Sequence, residues 1–368
     1  MTERPATSRA LVLDAPRVLD LRELTVPAPT PDTALLAVEA CGLCGTDHEL
    51  FTGALPLPTP LVPGHETVGT LLEVGDAAAE AWGVAAGDRV AVECFRSCRD
   101  CDPCRSGAYR RCDSNGLRTA YGLSPLANGP GLTGGWAEHH WLAPDSMVLP
   151  VPEVLDPVDA TLFNPVGAGI RWGAELPATG PGDVVAVLGP GIRGLASAAA
   201  AKEAGADVVM VTGHGPNDHP RLEAARDFGA DLVVDVAEQD PVAALRAATG
   251  RRGASVVVDV TANAPAALGQ AVGIADVDAR VVLAGTRNSD ETPGFHPDHV
   301  VFKELRLLGA LGVDAPAYRR ALDLLASDRW PFRKVARRVE PLEGAADLLA
   351  TMAGEGDGPP PVHAVLVP

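Results

Sequence analysis

Four cysteines in one short stretch carry the clearest chemistry in the sequence. Cys98, Cys101, Cys104 and Cys112 are spaced C-x2-C-x2-C-x7-C. This spacing lets one small loop present four thiolates to a single ion, and zinc prefers that set at about 2.3 Å per sulfur. Because the protein fills all four positions, such an ion would be structural rather than catalytic. Disulfides or free thiols are the alternative interpretation. It is disfavoured because cysteine motifs in an intracellular type of chain more often bind metal than form disulfides.

A second set of candidate metal ligands lies on two earlier segments. CGLCGTDHELF holds Cys44, and LVPGHETVG holds His65 and Glu66. A thiolate, an imidazole and a carboxylate form a partial ligand set for a catalytic zinc, which needs three protein ligands and one open position. Taken singly, each of these residues is as well explained by a place in the core or in a turn.

A glycine-rich motif predicts a dinucleotide site. Gly189, Gly191 and Gly194 form G-x-G-x-x-G between the apolar run VVAVL and an alanine-rich helical pattern, and a second apolar run, DVVMV, follows. The glycines permit a tight turn and let backbone N–H groups meet a pyrophosphate at the positive end of a helix. The motif is specific because it lies inside a strand–helix–strand unit. Ile192, between the last two glycines, belongs to the same candidate cofactor site.

The end of that second apolar run bears on the choice between NAD and NADP. An NAD-preferring enzyme usually places Asp or Glu there to bind the ribose 2′-hydroxyl. Here the run ends in Thr212 and Gly213, and His214 and Arg221 follow within reach of a 2′-phosphate. Asp218 lies between them and complicates this interpretation. The sequence favours NADP(H) over NAD(H).

Two kinds of pattern must position these residues. Over residues 1–157, short apolar runs alternate with turn segments, which predicts a barrel-like β domain that carries the cysteine lobe at 94–112. Over residues 158–310, helical patterns alternate with β-branched runs, which predicts a doubly wound parallel sheet. Residues 311–368 contain two helical patterns and a last strand, and we expect them to return to the first domain.

Composition and charge argue against several partners. The chain has 368 residues and a net charge of −18, from 30 basic and 48 acidic residues. Nucleic acid and anionic membrane surfaces both bind proteins through basic patches, so neither is an expected partner of this acidic chain. No apolar run approaches the roughly 20 residues of a membrane span, and the first residues do not form a signal peptide. The cysteine usage favours a reducing cytoplasm.

Taken together, these motifs resemble one enzyme family. GxCGTD, PGHExxGxxxxVG, GDRV and the four-cysteine loop occur in the order found in the zinc-containing medium-chain alcohol and polyol dehydrogenases. The resemblance runs over essentially the whole chain. It implies an α/β protein with a GroES-like β-barrel catalytic domain and a Rossmann domain. It also implies a homodimer or homotetramer that moves hydride between NAD(P) and a secondary alcohol, polyol or sugar, or the matching ketone.

The resemblance implies roles for individual residues. Cys44 and His65 match the first two ligands of the catalytic zinc. Thr46 matches the hydroxyl residue that takes the substrate proton, and Asp47 matches the carboxylate that orients the zinc-binding histidine. Glu66 matches a residue that lies beside or on the metal in polyol and sugar dehydrogenases.

Two positions depart from the family pattern. Asn164 aligns with the third zinc ligand, which is Cys, Glu or Asp in relatives, and a neutral carbonyl oxygen is a poor zinc donor. Either Glu66 completes the ligand set, or a water bridges Asn164 to the metal, or the catalytic zinc is weak or absent. Glu49 stands where many relatives carry a proton-relaying histidine, with His48 beside it. A carboxylate is mostly ionised at neutral pH, so we expect a pH–rate profile unlike that of histidine-bearing relatives.

The resemblance also extends the cofactor site. Val260 and Thr261 end the strand that lies over the cofactor ribose in the family, and Ala284 and Gly285 end the strand near the nicotinamide. Two other functions stay open. One is a metal-free NADPH-dependent reductase of an enone or quinone, which Asn164 favours. The other is a dinucleotide-binding protein without turnover.

Overall fold

The computed structural model describes residues 4–287, 291–356 and 359–368 and divides into two units. Unit 1 comprises Met1–Asn164, Asp314–Ser327 and Phe332–Pro368, and unit 2 comprises Pro165–Val313 and Asp328–Pro331. Within the described part of the chain, no helix has the length and apolar character needed to cross a membrane.

The regular elements follow one another in this order. The strands are β1 (Thr7–Ala15), β2 (Val18–Thr25), β3 (Ala34–Leu43), β4 (Glu66–Val74), β5 (Arg89–Val92), β6 (His139–Leu142), β7 (Val148–Pro150), β8 (Val184–Leu188), β9 (Val208–Gly213), β10 (Leu232–Asp235), β11 (Ala254–Asp259), β12 (Ala275–Leu283), β13 (Arg306–Gly309), β14 (Arg337–Pro341) and β15 (His363–Val367). The helices are α1 (Gly45–Thr52), α2 (Asp76–Trp82), α3 (Asp102–Arg105), α4 (Pro157–Ala160), α5 (Phe163–Ile170), α6 (Ile192–Glu203), α7 (His219–Asp227), α8 (Pro241–Thr249), α9 (Ala267–Ile274), α10 (Pro297–Phe302), α11 (Ala315–Ala326) and α12 (Ala345–Met352).

Unit 1 is built on β-sheets. One sheet has the order β14-β15-β3-β4-β5-β7, with β6 also paired to β3, and β1 and β2 form a separate antiparallel hairpin. Strand β3 is almost wholly buried because β15, β4 and β6 all pair with it. Its apolar run ALLA matches that position, since a central strand packs side chains on both faces. The metal-ligand candidates come from loops at the ends of β3, β4 and β5.

Unit 2 contains a parallel six-stranded sheet in the order β10-β9-β8-β11-β12-β13. Strand β8 is buried at every position, which agrees with its continuous apolar run VVAVL. The chain moves outward from β8 in one direction through β9 and β10, and in the other through β11, β12 and β13. The strand order therefore reverses between β8 and β11, which is where doubly wound sheets bind ligands. The predicted doubly wound parallel sheet is confirmed.

Candidate metal centres and cofactor site

Unit 1 brings Cys44, His65 and Glu66 together. Antiparallel pairing places Gly42 of β3 opposite Glu66 of β4, so the residues just beyond each strand end become neighbours. Sγ of Cys44 lies 3.2 Å from Nε2 of His65. One ligand atom from each of the three buried residues lies within 4.8 Å of the other two. We call this group the buried centre.

A glycine makes room for the carboxylate of this centre. A Cβ atom added at Gly42 would lie 2.5 Å from Oε2 of Glu66 and 3.2 Å from its Cβ. Real Cβ atoms do not approach so closely, so any larger residue at position 42 would push the Glu66 side chain away. The glycine in the GxCGTD segment therefore has a local steric role beside the ligands.

Helix α1 orients the histidine of the buried centre. Cys44 is the N-cap of α1, and its backbone N–H donates to Oδ2 of Asp47 at 2.9 Å. Oδ1 of Asp47 lies 3.3 Å from Nδ1 of His65, as an ion-pair contact rather than an aligned hydrogen bond. With Asp47 beside Nδ1, the nitrogen turned towards Cys44 is Nε2. The side chain of Asp47 is fully buried, so water screens little of the attraction between its charge and His65.

The electrostatics of the buried centre favour a cation. Burial lowers the pKa of His65, but the charges of Asp47 and Cys44 outweigh burial and raise that pKa well above its usual range. The negative groups that stabilise a proton here would also attract a divalent metal ion. A thiolate, an imidazole and a carboxylate are donors that zinc accepts. Cys44, His65 and Glu66 therefore fit a zinc ion.

Two residues with predicted proton roles lie on α1. Thr46 and Glu49 are half-buried and three positions apart, so they share one face of the helix. The side chain of His48 has a different contact, since its Nε2 lies 3.2 Å from Oε1 of Glu355. The histidine in this segment is thus engaged in an ion-pair contact with an acidic residue beyond α12.

Asn164 is buried and hydrogen-bonded to a tyrosine. Its Nδ2 donates to the hydroxyl oxygen of Tyr318 at 3.0 Å. Tyr318 is 2% exposed on α11, and its ring packs against Phe163 with 5.1 Å between centroids. Because the amide nitrogen serves Tyr318, Asn164 can offer a ligand only its carbonyl oxygen. Tyr318 was missed from the sequence because it occupies an ordinary core position of an amphipathic helix.

The four cysteines of the lobe form a second cluster, which we call the lobe centre. Sγ of Cys98 lies 3.8 Å from Sγ of Cys104, and Sγ of Cys101 lies 3.9 Å from Sγ of Cys112. All four sulfur atoms lie within 4.8 Å of one another. A tetrahedron with arms of about 2.3 Å has edges of about 3.8 Å, so the cluster fits a zinc ion.

Hydrogen bonds from the backbone tune the thiols of the lobe centre. The N–H groups of Cys101 and Asp100 lower the pKa of Cys98. Burial opposes ionisation of Cys112, but backbone N–H groups outweigh it and lower its pKa to about 6. Burial raises the pKa of Cys104 to about 11. Thiolates are the metal-binding form, so the lobe supplies part of the required charge through its own fold.

A buried carboxylate connects the lobe to the sheet of unit 1. Glu93 follows β5, and its side chain accepts hydrogen bonds from the Tyr109 hydroxyl at 2.8 Å and from the Phe95 N–H at 3.0 Å. Burial raises the pKa of Glu93 to about 7, although these hydrogen bonds oppose the shift. Arg110, next to Tyr109, pairs with Asp314 before α11 at 3.6 Å. The burial of Glu93 was not predicted from the sequence.

Unit 2 contains a cavity of about 460 Å³ at the ends of its central strands. It is lined by eight of the residues predicted to bind the cofactor: Gly189, Gly191, Thr212, Gly213, His214, Arg221, Val260 and Thr261. The other lining residues are Pro190, Asp218, Val236, Ala262, Ala264, Ala266, Ala267 and Gln270. Apart from Asp218, sequence reasoning missed these. Pro190 follows β8, Val236 follows β10, and the alanines and the lone glutamine follow β11, so they have no recognisable spacing.

The remaining predicted cofactor residues shape the backbone around the cavity. A Cβ atom on Gly194 would lie 1.8 Å from the carbonyl oxygen of Gly189, so only glycine lets α6 pack against this turn. A Cβ atom on Gly285 would lie 1.7 Å from the carbonyl oxygen of Thr261. Ile192 is the first residue of α6, and Ala284 follows β12. These four residues do not line the cavity itself.

A buried ion pair supports the same region. Asp259, at the end of β11, accepts hydrogen bonds from Oγ1 of Thr261 at 2.6 Å and from the Thr261 N–H at 3.0 Å. Arg287 pairs with the other oxygen of Asp259 and donates to the carbonyl oxygen of Gly285 at 2.7 Å. Burial raises the pKa of Asp259, against the opposing effects of Thr261 and Arg287. The pair holds the ends of β11 and β12 together.

Comparison with known proteins identifies the class. The family model described as the alcohol dehydrogenase GroES-like domain matches residues 30–153, and the model described as zinc-binding dehydrogenase matches residues 194–327. The chain belongs to the zinc-containing alcohol dehydrogenase family, with a GroES-like domain and a Rossmann domain. The family and fold class predicted from the sequence are both confirmed, and the two alternative functions are not favoured.

Individual relatives refine this assignment. The chain is 63% identical to the "Probable alcohol dehydrogenase adh" of Mycobacterium tuberculosis over 99% of either protein. It is 31% identical to the sorbitol dehydrogenase of Bacillus subtilis, over 55% of this chain and 54% of that protein. A Sinorhizobium meliloti 1021 protein assigned to the zinc-binding dehydrogenases, solved with NADP bound, superimposes with a TM-score of 0.84 at 28% identity, covering 99% of this chain and 100% of that one.

Proposed function

We propose that the chain oxidises a secondary alcohol, polyol or sugar, and reduces the matching ketone, with hydride exchanged with NAD(P). The contact of 3.2 Å between Cys44 Sγ and His65 Nε2, with Asp47 behind the imidazole, is the observation that carries the proposal. The names of the relatives support the same substrate range, since they include an alcohol dehydrogenase and a sorbitol dehydrogenase.

The proposed division of labour follows the domains predicted from the sequence. Residues 1–157 and 311–368 form the catalytic domain, in which 94–112 is a lobe held by a structural zinc ion. Residues 158–310 form the domain that binds the dinucleotide. The four-sulfur geometry of the lobe centre supports the first assignment, and the cavity beside the G-x-G-x-x-G turn supports the second.

At the buried centre, Cys44, His65 and Glu66 would hold the catalytic zinc. When bound, the metal polarises the substrate oxygen and lowers the pKa of the alcohol. Asp47 keeps the imidazole of His65 in the orientation that ligation requires. Asn164 contributes at most a neutral carbonyl oxygen, because its Nδ2 donates to Tyr318. We therefore propose Glu66, rather than Asn164, as the third protein ligand.

Proton removal is proposed to run along α1. Thr46 accepts the proton of the substrate hydroxyl group and passes it towards Glu49, on the same helix face. The relay would end on a carboxylate, where many relatives have an imidazole. We therefore expect a pH–rate profile unlike that of relatives with histidine at that position.

For the cofactor, we propose a preference for NADP(H) over NAD(H). Strand β9 ends in Gly213 without a carboxylate of its own, and His214 and Arg221 line the same cavity. The structural neighbour from Sinorhizobium meliloti has NADP bound. We also propose a homodimer or homotetramer. We propose a cytoplasmic location as well, because four of the seven cysteines are clustered in one metal-binding type of motif.

One set of measurements tests this proposal. The purified enzyme is assayed with NADP and with NAD over a panel of secondary alcohols, polyols and sugars, and its zinc content is measured by elemental analysis. We expect two zinc ions per chain. Cys44→Ser should retain one zinc ion and lose alcohol oxidation. Full activity of Cys44→Ser would remove the buried centre from the mechanism.

Cys41→Ser is the matched control. Cys41 is as buried as Cys44, and its Sγ lies 3.8 Å from Oγ1 of Thr67, outside the cluster of metal-ligand candidates. Burial raises its pKa to about 12, so it is an un-ionised thiol. This variant should keep two zinc ions and its activity, which separates loss of a ligand from loss of a core thiol.

A further inference from the structure

Asp218 fills the space in front of the strand end at Gly213. A Cβ atom on Gly213 would lie 2.9 Å from Cβ of Asp218 and 3.2 Å from its Oδ2. The aspartate therefore occupies the volume that a larger residue at position 213 would need. Both residues line the cavity of unit 2. A carboxylate is thus present beside the strand end, although the strand itself supplies none.

Arg221 holds this carboxylate from the other side. Its Nη1 lies 3.4 Å from Oδ1 of Asp218, and the backbone N–H of His214 donates to Oδ2 at 2.9 Å. The Asp218 and Arg221 side chains are each 21% exposed, so water screens them only partly. One wall of the cavity therefore carries a negative and a positive charge in contact.

Asp235, at the end of β10, fixes the loop that carries this ion pair. Its Oδ1 accepts the N–H groups of Gly215 and Ala237, each at 2.9 Å. Its Oδ2 lies 2.8 Å from Nε2 of His219, the first residue of α7. Because the loop backbone is anchored in this way, the side chains of Asp218 and Arg221 can change partners while the loop stays in place.

We propose that Asp218 and Arg221 together set the ratio of NADP to NAD binding by exchanging partners. The inference rests on the dinucleotide site of the proposed function and concerns how strongly that site prefers NADP over NAD. Arg221 leaves Asp218 to pair with a 2′-phosphate, whereas Asp218 accepts the 2′-hydroxyl of NAD while Arg221 remains bound to it. Because separating Arg221 from Asp218 costs free energy, the contact between Arg221 and the 2′-phosphate favours NADP over NAD less strongly. The chain therefore binds both dinucleotides, with an NADP preference that Asp218 limits.

Asp218→Asn is the first test, with dissociation constants for NADP and NAD measured by calorimetry or protein fluorescence without substrate. Asparagine retains a carbonyl oxygen for the His214 N–H and loses the negative charge. We expect about tenfold tighter NADP binding, because Arg221 no longer pairs with a carboxylate at position 218 and the repulsion of the phosphate is removed, and modestly weaker NAD binding. Asp278→Asn, in an exposed ion pair with Arg306, is the control and should change neither constant.

Arg221→Gln is the second test. It should weaken NADP binding about tenfold and leave NAD binding nearly unchanged, so that the preference shifts towards NAD. The control Arg306→Gln removes the same charge from β13 of the same unit, outside the residues that line the cavity. In the double variant of Asp218 and Arg221, the tighter NADP binding produced by Asp218→Asn should shrink, because the part of the gain that acts through Arg221 is lost and only the removed repulsion remains.

The outcomes separate this inference from the proposed function. If the parent chain binds neither dinucleotide, the proposed function is wrong and the inference falls with it. If the parent binds dinucleotide but Asp218→Asn leaves the ratio of the two constants within about twofold, the exchange is overturned while the proposed function stands. Independent, additive effects of the two substitutions would overturn the exchange as well.

Discussion

The buried centre and the lobe centre lie in the same unit but are held by different forces. Cys44, His65 and Glu66 are enclosed by β3, β4 and α1, and a fully buried carboxylate orients the histidine. Three of the four cysteines in the lobe centre are partly exposed. Their loop contains the short helix α3 and one 3-10 turn at Tyr109–Arg111, and the Cys98 and Cys112 thiols accept hydrogen bonds from nearby backbone N–H groups.

This difference predicts that the lobe centre mainly stabilises the fold and that the buried centre mainly serves catalysis. The buried centre lies at the ends of β3 and β4, whose apolar side chains pack in the core of unit 1, so we expect its ligand residues to contribute little to the stability of the fold. The lobe has little core of its own, so we expect a bound zinc ion to supply much of its folding free energy. In the proposed assignment, four protein ligands would close the lobe centre, whereas three would leave a coordination position open at the buried centre.

The largest expected effect is on the lobe. Cys101→Ser should release one zinc ion and lower the free energy of unfolding by roughly 3 to 5 kcal/mol, because the lobe loses the ion that organises it. Thermal unfolding and elemental analysis measure both effects. The matched variant Cys44→Ser also loses one zinc ion but should retain most of the stability. Equal loss of stability in the two variants would contradict the division between the centres.

The second prediction concerns the carboxylate that joins the lobe to the sheet. The pKa of Glu93 is about 7 in the folded chain, above its usual value of 4.5. Between pH 4.5 and 7, the unfolded chain loses a proton that the folded chain keeps, so the free energy of unfolding falls as pH rises. The total fall should be on the order of 3 kcal/mol. Glu93→Gln cannot lose this proton and should not show the fall.

Denaturant unfolding at a series of pH values measures this difference. The exposed Glu80 on α2 provides the control, since Glu80→Gln should leave the pH dependence of the parent unchanged. Other groups that titrate near Glu93 contribute equally to parent and variant, so they cancel in the comparison. A parallel fall in the Glu93→Gln variant would show that Glu93 is already ionised in the folded chain.

Asp47→Asn tests the buried centre with a smaller expected effect. Asparagine keeps a carbonyl oxygen for the Cys44 N–H but loses the charge beside Nδ1 of His65. Partners of metal-binding histidines typically contribute 10- to 100-fold to metal affinity, so zinc binding at this centre should weaken by about that factor. Chelator competition measures it directly. Zinc binding at the lobe centre should not change, and a loss at both centres would contradict the comparison.

The smallest expected effect is at Tyr318. Tyr318→Phe removes the hydroxyl that accepts a hydrogen bond from Asn164 and should lower the free energy of unfolding by about 1 kcal/mol. If Glu66 is the third ligand, zinc affinity at the buried centre should change less than twofold. Zinc affinity is therefore the measurement that tests the role of Asn164. A large loss of zinc affinity would show that Asn164 takes part in binding the metal.

Sequence spacing predicted the parts of the site that are local in the chain. The lobe cysteines and the G-x-G-x-x-G turn each lie within one short segment, and their geometry follows from local backbone requirements. Cys44 and His65 were found because their flanking motifs resemble a family. The doubly wound parallel sheet of unit 2 was predicted from the alternation of strand and helix patterns, whereas its strand order is known from the structure.

Long-range partners could not be predicted in this way. Glu93 directly follows β5, and its buried side chain accepts a hydrogen bond from Tyr109 of the lobe, 16 residues further along the chain. Asn164 was recognised as a departure from the family pattern, but its partner Tyr318 lies far along the chain. Asp218 was an unresolved complication until the structure placed its side chain against Gly213. Each contact depends on packing between elements, which no local pattern encodes.

The position of β15 has a consequence for how the protein matures in the cell. In the sheet of unit 1, β15 lies between β14 and β3, and it pairs Ala364 with Leu43, the residue just before Cys44. The strand that leads into the buried centre therefore lacks one neighbour until residues 363–367 emerge from the ribosome. The lobe cysteines are close together and can capture an ion during synthesis. We therefore expect the lobe to be able to bind an ion earlier during synthesis than the buried centre, which is complete only after β15 has paired with β3.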